Sequence, residues 1–234
     1  MKLSAPLYIL KHQARVLSRA EKIPLHAALN RIANREGFTA WSLLAARSSA
    51  KDASATLFSE LRPGNLLLLA ARAGQGKTLL AVGLTVEAMN RGNRAAFFTL
   101  DFTKADVARC FQTVGNGMDA FGDRIMIDTS DAISADYIVE RLASAPRGMC
   151  IVVDYLQLLD QDRNKPTLAE QVAVLKRFAR ERSSIIVCLS QIDRNFDSAS
   201  ERFPQRADVR LPNPLDLTLF DQACFLTRGK MQLS

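Results

Sequence analysis

Four short stretches of the chain carry side chains whose types and spacing can do chemistry. The first is Ala73-Gly74-Gln75-Gly76-Lys77-Thr78-Leu79, which follows the apolar run Leu66–Ala71 and opens a second apolar run reaching Met89. That order reads as strand, tight loop, helix. Loop N–H groups can surround a phosphate, and a helix N-terminus turns the positive end of its dipole toward it. In such a loop Lys77 reaches the β- and γ-phosphates of a nucleotide, and the Thr78 hydroxyl holds Mg²⁺. Ala71 stands where the general G-x-x-x-x-G-K-[ST] pattern has its first glycine. An ordinary tight turn accounts for Gly74 and Gly76 but leaves Lys77-Thr78 unexplained.

The second stretch, Met149-Cys150-Ile151-Val152-Val153-Asp154, is an apolar, β-branched run that ends in a carboxylate. Open parallel sheets bind ligands at the carboxyl ends of their strands. Asp154 is therefore the candidate partner of Thr78 in holding Mg²⁺, with a helix-capping aspartate as the competing reading. The third, Ala95–Leu100, ends in Asp101, which could instead cap a helix from Lys104 to Val114. The fourth, Ile185–Leu189, runs into Ser190-Gln191. Gln191 could equally be a buried strand-end amide.

Such a site needs a scaffold that brings strand ends together. Apolar strand-like runs alternate with helical patterns along residues 79–89, 104–114, 133–142 and 168–181. This alternation predicts an α/β fold, a mainly parallel sheet flanked by helices on both faces. Residues 220–226 and 231–233 read as a terminal hairpin turning at Gly229-Lys230. Ahead of the sheet, three short helices are expected between Leu7 and Ala50. Leu7, Leu10, Ala14 and Leu17 line one face of the first. Pro24 starts the second, with Leu25, Ala28, Leu29 and Ile32 on its apolar face and Gly37 at its end. Thr39 is the expected cap of the third, and Phe38 and Trp41 read as core. Residues 48–55, rich in Ser and Ala, read as a linker. The expected division is a small basic all-α module at 1–54 and a second domain at 55–234.

The chain carries a net charge of +7, concentrated at its start. Ten basic residues precede Pro63, against the four acids Glu21, Glu36, Asp52 and Glu60. A basic segment points to a polyanionic partner such as nucleic acid, with a solvated helix surface as the alternative. Cys110, Cys150, Cys188 and Cys224 are scattered without metal-ligand spacing, which suggests reduced thiols in a cytoplasmic protein. No apolar run approaches the length of a membrane span, so no membrane association is expected.

The stretch Leu61-Arg62-Pro63-Gly64-Asn65, the leucine run after it and Ala70 to Thr78 resemble the start of the ATPase domain of DnaB-type replicative DNA helicases. Asp154-Tyr155-Leu156-Gln157 and Ser190-Gln191-Ile192-Asp193-Arg194 resemble later motifs of the same family. The resemblance spans about Leu57 to Arg228 and implies a RecA-like P-loop domain that binds ATP and Mg²⁺. It implies that Asp101, where the family has a glutamate, polarises the attacking water. It also implies that Gln191 senses the γ-phosphate. The long segment 195–214, with Arg194, Arg202, Arg206 and Arg210 in and beside it, would contact nucleic-acid phosphates. The family's Lys-x-Arg finger element is not among these residues. Arg228 and Lys230 are the basic residues nearest its place.

Three functions follow as expectations. One is an ATPase acting on DNA, with Lys77, Asp101, Asp154 and Gln191 as catalytic residues. Another is a nucleotide-gated binding module with little hydrolysis. The third is an accessory subunit that binds a helicase through its N-terminal helices; a homo-oligomer or a helicase partner is the expected assembly.

Overall fold

The apolar runs become strands β1 (Leu66–Ala71), β2 (Ala95–Thr99), β3 (Ile125–Asp128), β4 (Cys150–Asp154), β5 (Ile185–Gln191), β6 (Gln222–Thr227) and β7 (Lys230–Leu233). The computed structural model describes residues 3–115, 117–160, 166–196, 202–211 and 213–234. The strands form one sheet in the order β3-β2-β4-β5-β1-β6-β7, all parallel except β7, which returns antiparallel along β6. Every residue of β1, β2 and β4 is buried, as in a parallel sheet covered on both faces.

Successive side chains of a strand point to opposite faces. Leu67, Leu69, Phe97 and Val152 therefore pack on one side, against α4 (Lys77–Asn90) and α5 (Lys104–Val114). Leu66, Leu68, Phe98 and Val153 pack on the other, against α6 (Ala135–Arg141) and α7 (Leu168–Arg182). α5 and α7 each begin in a capping box, Thr103 with Asp106 and Thr167 with Glu170. The cations of α7 are partly engaged. Lys176 donates to the Leu219 carbonyl at 2.6 Å, and Arg182 donates to that of Ala145.

Three helices precede the sheet: α1 (Leu7–Ala20), α2 (Leu25–Arg35) and α3 (Trp41–Glu60). They share a small core of Leu10, Ala14, Ala28, Ile32, Ala33 and Leu44, with Phe38 and Trp41 packed against it. Leu25, the first residue of its helix, lies outside that core and is 42% exposed. Residue Ala40, not Thr39, occupies the cap position of α3, and Asn30 Oδ1 instead accepts the Trp41 N–H at 2.9 Å. The stretch 48–55 is not an irregular linker. α3 runs through it unbroken, with neither Gly nor Pro between Trp41 and Glu60 and alanines that favour helix. The helix starts in the small core at Leu44 and ends in the sheet core at Leu57 and Phe58.

Candidate functional site

β1 delivers the chain into a loop that must turn sharply before α4 begins. Gly74 and Gly76 adopt φ of +77° and +87°, and a Cβ at either would meet nothing within 4 Å. Backbone conformation, not lack of space, demands glycine there. The turn leaves Lys77 and Thr78 as the first two residues of α4. Ala73 and Gly74 are exposed, and Gln75, Gly76, Lys77 and Leu79 are half-buried, so the loop is open to a ligand.

The structure brings Thr78 and Asp154 together. The Thr78 hydroxyl donates to Asp154 Oδ2 over 3.4 Å, a long contact between two buried groups. Asp154 is fully buried at the end of β4, and its Oδ1 has no hydrogen-bond partner among the described residues. A buried carboxylate oxygen without a donor is costly unless something occupies the site. Burial pushes the Asp154 pKa up to about 6, the Lys77 ammonium opposes that, and the nearby Asp101 carboxylate adds to it. Among the described residues no group of three or more His, Cys, Asp or Glu could hold a metal ion. One carboxylate and one hydroxyl suit a hard cation such as Mg²⁺, which keeps waters and takes further oxygens from phosphates.

Asp101 lies in the bend after β2, exposed, within electrostatic reach of Lys77. Partial burial pushes its pKa upward and Lys77 opposes the rise. It is not a helix cap, since Thr103 holds that place on α5. Lys77, Thr78, Asp101 and Asp154 thus converge at the carboxyl edge of the sheet.

Gln191 closes β5, in register with Ala71 of β1. Its carbonyl accepts the Arg210 N–H at 2.8 Å, and an antiparallel bridge joins Ile192 to Val209. The chain after β5 therefore comes back onto the strand end, although residues 197–201 and 212 of the expected long loop lie outside the described ones. Of its arginines, Arg202 pairs with both oxygens of Asp208 at 2.7 and 2.9 Å and lies over the Phe196 ring. Arg206 donates to the Leu217 carbonyl. Arg194 and Arg210 are exposed.

Four contacts at this edge escape sequence reasoning. Gln157 Nε2 donates to Ser190 Oγ at 3.0 Å and to the Arg210 carbonyl at 2.5 Å, tying the segment after β4 to the segment after β5. Arg72 donates to the Asp193 carbonyl at 2.9 Å, and Gln75 Oε1 accepts the Arg228 N–H at 2.8 Å. In the sequence Gln157 stands out only as the end of the motif Asp154-Tyr155-Leu156-Gln157, and its partners are remote in sequence.

A family model for the DnaB-like helicase C terminal domain matches residues 108–230. The chain is 26% identical over 201 residues to the replicative DNA helicase DnaB of Buchnera aphidicola subsp. Schizaphis graminum, covering 69% of this chain and 43% of that protein. It is 28% identical over 182 residues to the DnaB of Synechocystis, covering 64% and 21% respectively. The chain thus spans less than half the length of these relatives. Among solved structures, a DnaB-like replicative helicase, described with its interactions with primase, superposes with a TM-score of 0.55 at 16% identity, covering 74% of this chain and 56% of that one. A solved ATPase domain superposes with the same TM-score at 19% identity, covering 72% of this chain and 71% of its own. Both likenesses support the RecA-like fold.

Proposed function

The chain belongs to the family of DnaB-like helicase C-terminal domains, and from that premise we propose that it binds ATP with Mg²⁺, hydrolyses it and works on DNA. The observation that carries the reading is the partnerless Oδ1 of buried Asp154 beside the Thr78 hydroxyl at the mouth of the phosphate loop. Amides of Ala73 to Leu79 cradle the phosphates, and Lys77 neutralises charge on the β- and γ-phosphoryl oxygens. Thr78 and Asp154 hold the metal, which when bound offsets charge on the phosphates. Asp101 orients a water and accepts its proton as the water oxygen bonds to the γ-phosphorus. The bond to the bridging oxygen breaks, and ADP and inorganic phosphate leave. Gln191 reads the γ-phosphate, and its main-chain link to the exposed Arg210 supports a route by which the state of the site would reach a DNA phosphate contact.

The family glutamate is one methylene longer than Asp101, a difference of roughly 1.5 Å in reach. Turnover is accordingly slow, and a homo-oligomer or helicase partner would supply an arginine to the γ-phosphate. Residues 1–54 form the partner-docking part and 55–234 the nucleotide-binding part of this scheme. ATP turnover with and without single-stranded DNA tests the reading. DNA stimulates the native protein, and Lys77→Ala is inactive under both conditions. Turnover indifferent to any nucleic acid overturns the DNA half of the proposal.

The exposure of Asp101 favours a second reading, a nucleotide-gated binding module with little hydrolysis. Asp101→Glu separates the two. A large gain in rate marks a site tuned for occupancy, and a loss marks Asp as the working base.

A further inference from the structure

We propose that the outward face of α1 is a second nucleic-acid site, one that takes a single strand and lies apart from the nucleotide-binding sheet edge. α1 turns Leu10 and Ala14 into the module core. Tyr8, Lys11, Arg15 and Arg19 follow at intervals of three or four residues on a stripe that turns away from that core, and all four are exposed. Tyr8 is 74% exposed, the most open of the large apolar side chains described. Four helical residues advance about 6 Å, so the three cations make a line about 12 Å long with an aromatic ring at its end. Charges in a row can follow a sugar-phosphate backbone, and an open ring offers a base a face to stack on.

A merely solvated helix face interleaves both signs of charge. Here two of the nearby acids, Glu21 and Glu36, are already engaged. Glu21 pairs with Arg31. Glu36 is buried, accepts the Ser4 N–H at 2.8 Å and a second bond from the Ser4 hydroxyl, and is held below the usual carboxylate range by them. Asp52 and Glu87 line the same crevice of about 990 Å³ as Tyr8 and Lys11, and among the described residues neither forms an ion pair with Lys11. Arg15 and Arg19 lie outside that lining, so the track runs from the crevice rim at Tyr8 and Lys11 outward along the helix. A membrane surface fits less well. Interfacial helices bury a broad apolar face in lipid, whereas the apolar side of α1 is spent on its own core and only Tyr8 and Val16 remain outside.

The test uses the full chain without nucleotide and a labelled oligothymidylate, followed by fluorescence anisotropy across a range of salt. The Lys11→Ala/Arg15→Ala/Arg19→Ala variant lowers the slope of log affinity against log salt by about 2, since each phosphate contact on a single strand contributes about 0.7. Tyr8→Ala weakens binding about 5- to 150-fold, the range for losing one base–aromatic stack, and Tyr8→Phe restores it. Lys77→Ala leaves these effects intact, so failure of the ATPase reading and failure of this one are told apart. Unaltered thermal melting shows that the variants fold. An unchanged salt slope in the triple variant overturns the proposal. So does equal affinity for Tyr8→Ala, or binding to phosphatidylglycerol vesicles as tight as to the oligonucleotide.

Discussion

The sheet edge and the N-terminal module hold their charged residues in opposite ways. At the sheet edge, Asp154 is fully buried with an unpaired oxygen, at the end of a strand whose every residue is buried. In the module, Lys11, Arg15 and Arg19 stand in solvent on a helix anchored by a core of six small and medium side chains. The first arrangement preorganises a few groups at the expense of stability and suits chemistry on a small ligand. The second is cheap to hold and suits a long, repetitive, charged partner. The two regions are joined by α3, which belongs to both cores.

The largest effect that would sharpen this contrast is on turnover. Lys77→Ala lowers the ATPase rate by at least about 10²-fold, the scale of losing a charge-stabilising group, while single-strand binding by α1 persists. Loss of both together in a folded protein would break the separation. Stability should differ next. Leu68→Ala, in the sheet core, costs about 3–5 kcal/mol, and Leu44→Ala, in a small core more able to collapse, about 2–3 kcal/mol, both read by denaturant unfolding.

A smaller effect has a distinctive pH signature. The Asp154 pKa is raised by burial to about 6 in the folded chain, above an unfolded value near 3.9. The folded state therefore holds the proton more tightly. Its stabilising share is complete below about pH 4 and is lost as pH rises through about 6, leaving a buried charge at neutral pH. Asp154→Asn should stabilise the ligand-free protein by roughly 2–3 kcal/mol above pH 7 and by nothing below pH 4. Thermal melts at the two pH values check it, and an equal gain at both would contradict it. Mg-ATP affinity of the native chain should fall as pH drops through 6, because the metal requires the carboxylate.

These regions were also unequally legible in the sequence. The phosphate loop, Asp101, Asp154 and Gln191 each sit in or at the end of a contiguous run whose local pattern dictates strand, turn or helix. Their placement follows from parallel-sheet topology. The Ser/Ala stretch at 48–55 misled because its serines read as linker, whereas its alanines and the absence of Gly and Pro favour helix and Leu57 and Phe58, docked on the sheet, hold the end of α3. The engagement of Arg202 by Asp208, and of Gln157 by Ser190 and Arg210, was invisible because those contacts form only when the segments after β4 and β5 meet. Leu25 fitted the apolar period of α2 yet lies at its exposed start.

The most direct test of the central claim, that Lys77, Thr78 and Asp154 together grip a metal-bound triphosphate, is equilibrium binding of a fluorescent ATP analogue with Mg²⁺ and with EDTA. Native protein should bind at least about tenfold more tightly with Mg²⁺, the usual scale of a lost metal-site interaction, and Asp154→Asn should bind equally in both. An undiminished Mg²⁺ effect in Asp154→Asn would contradict the account.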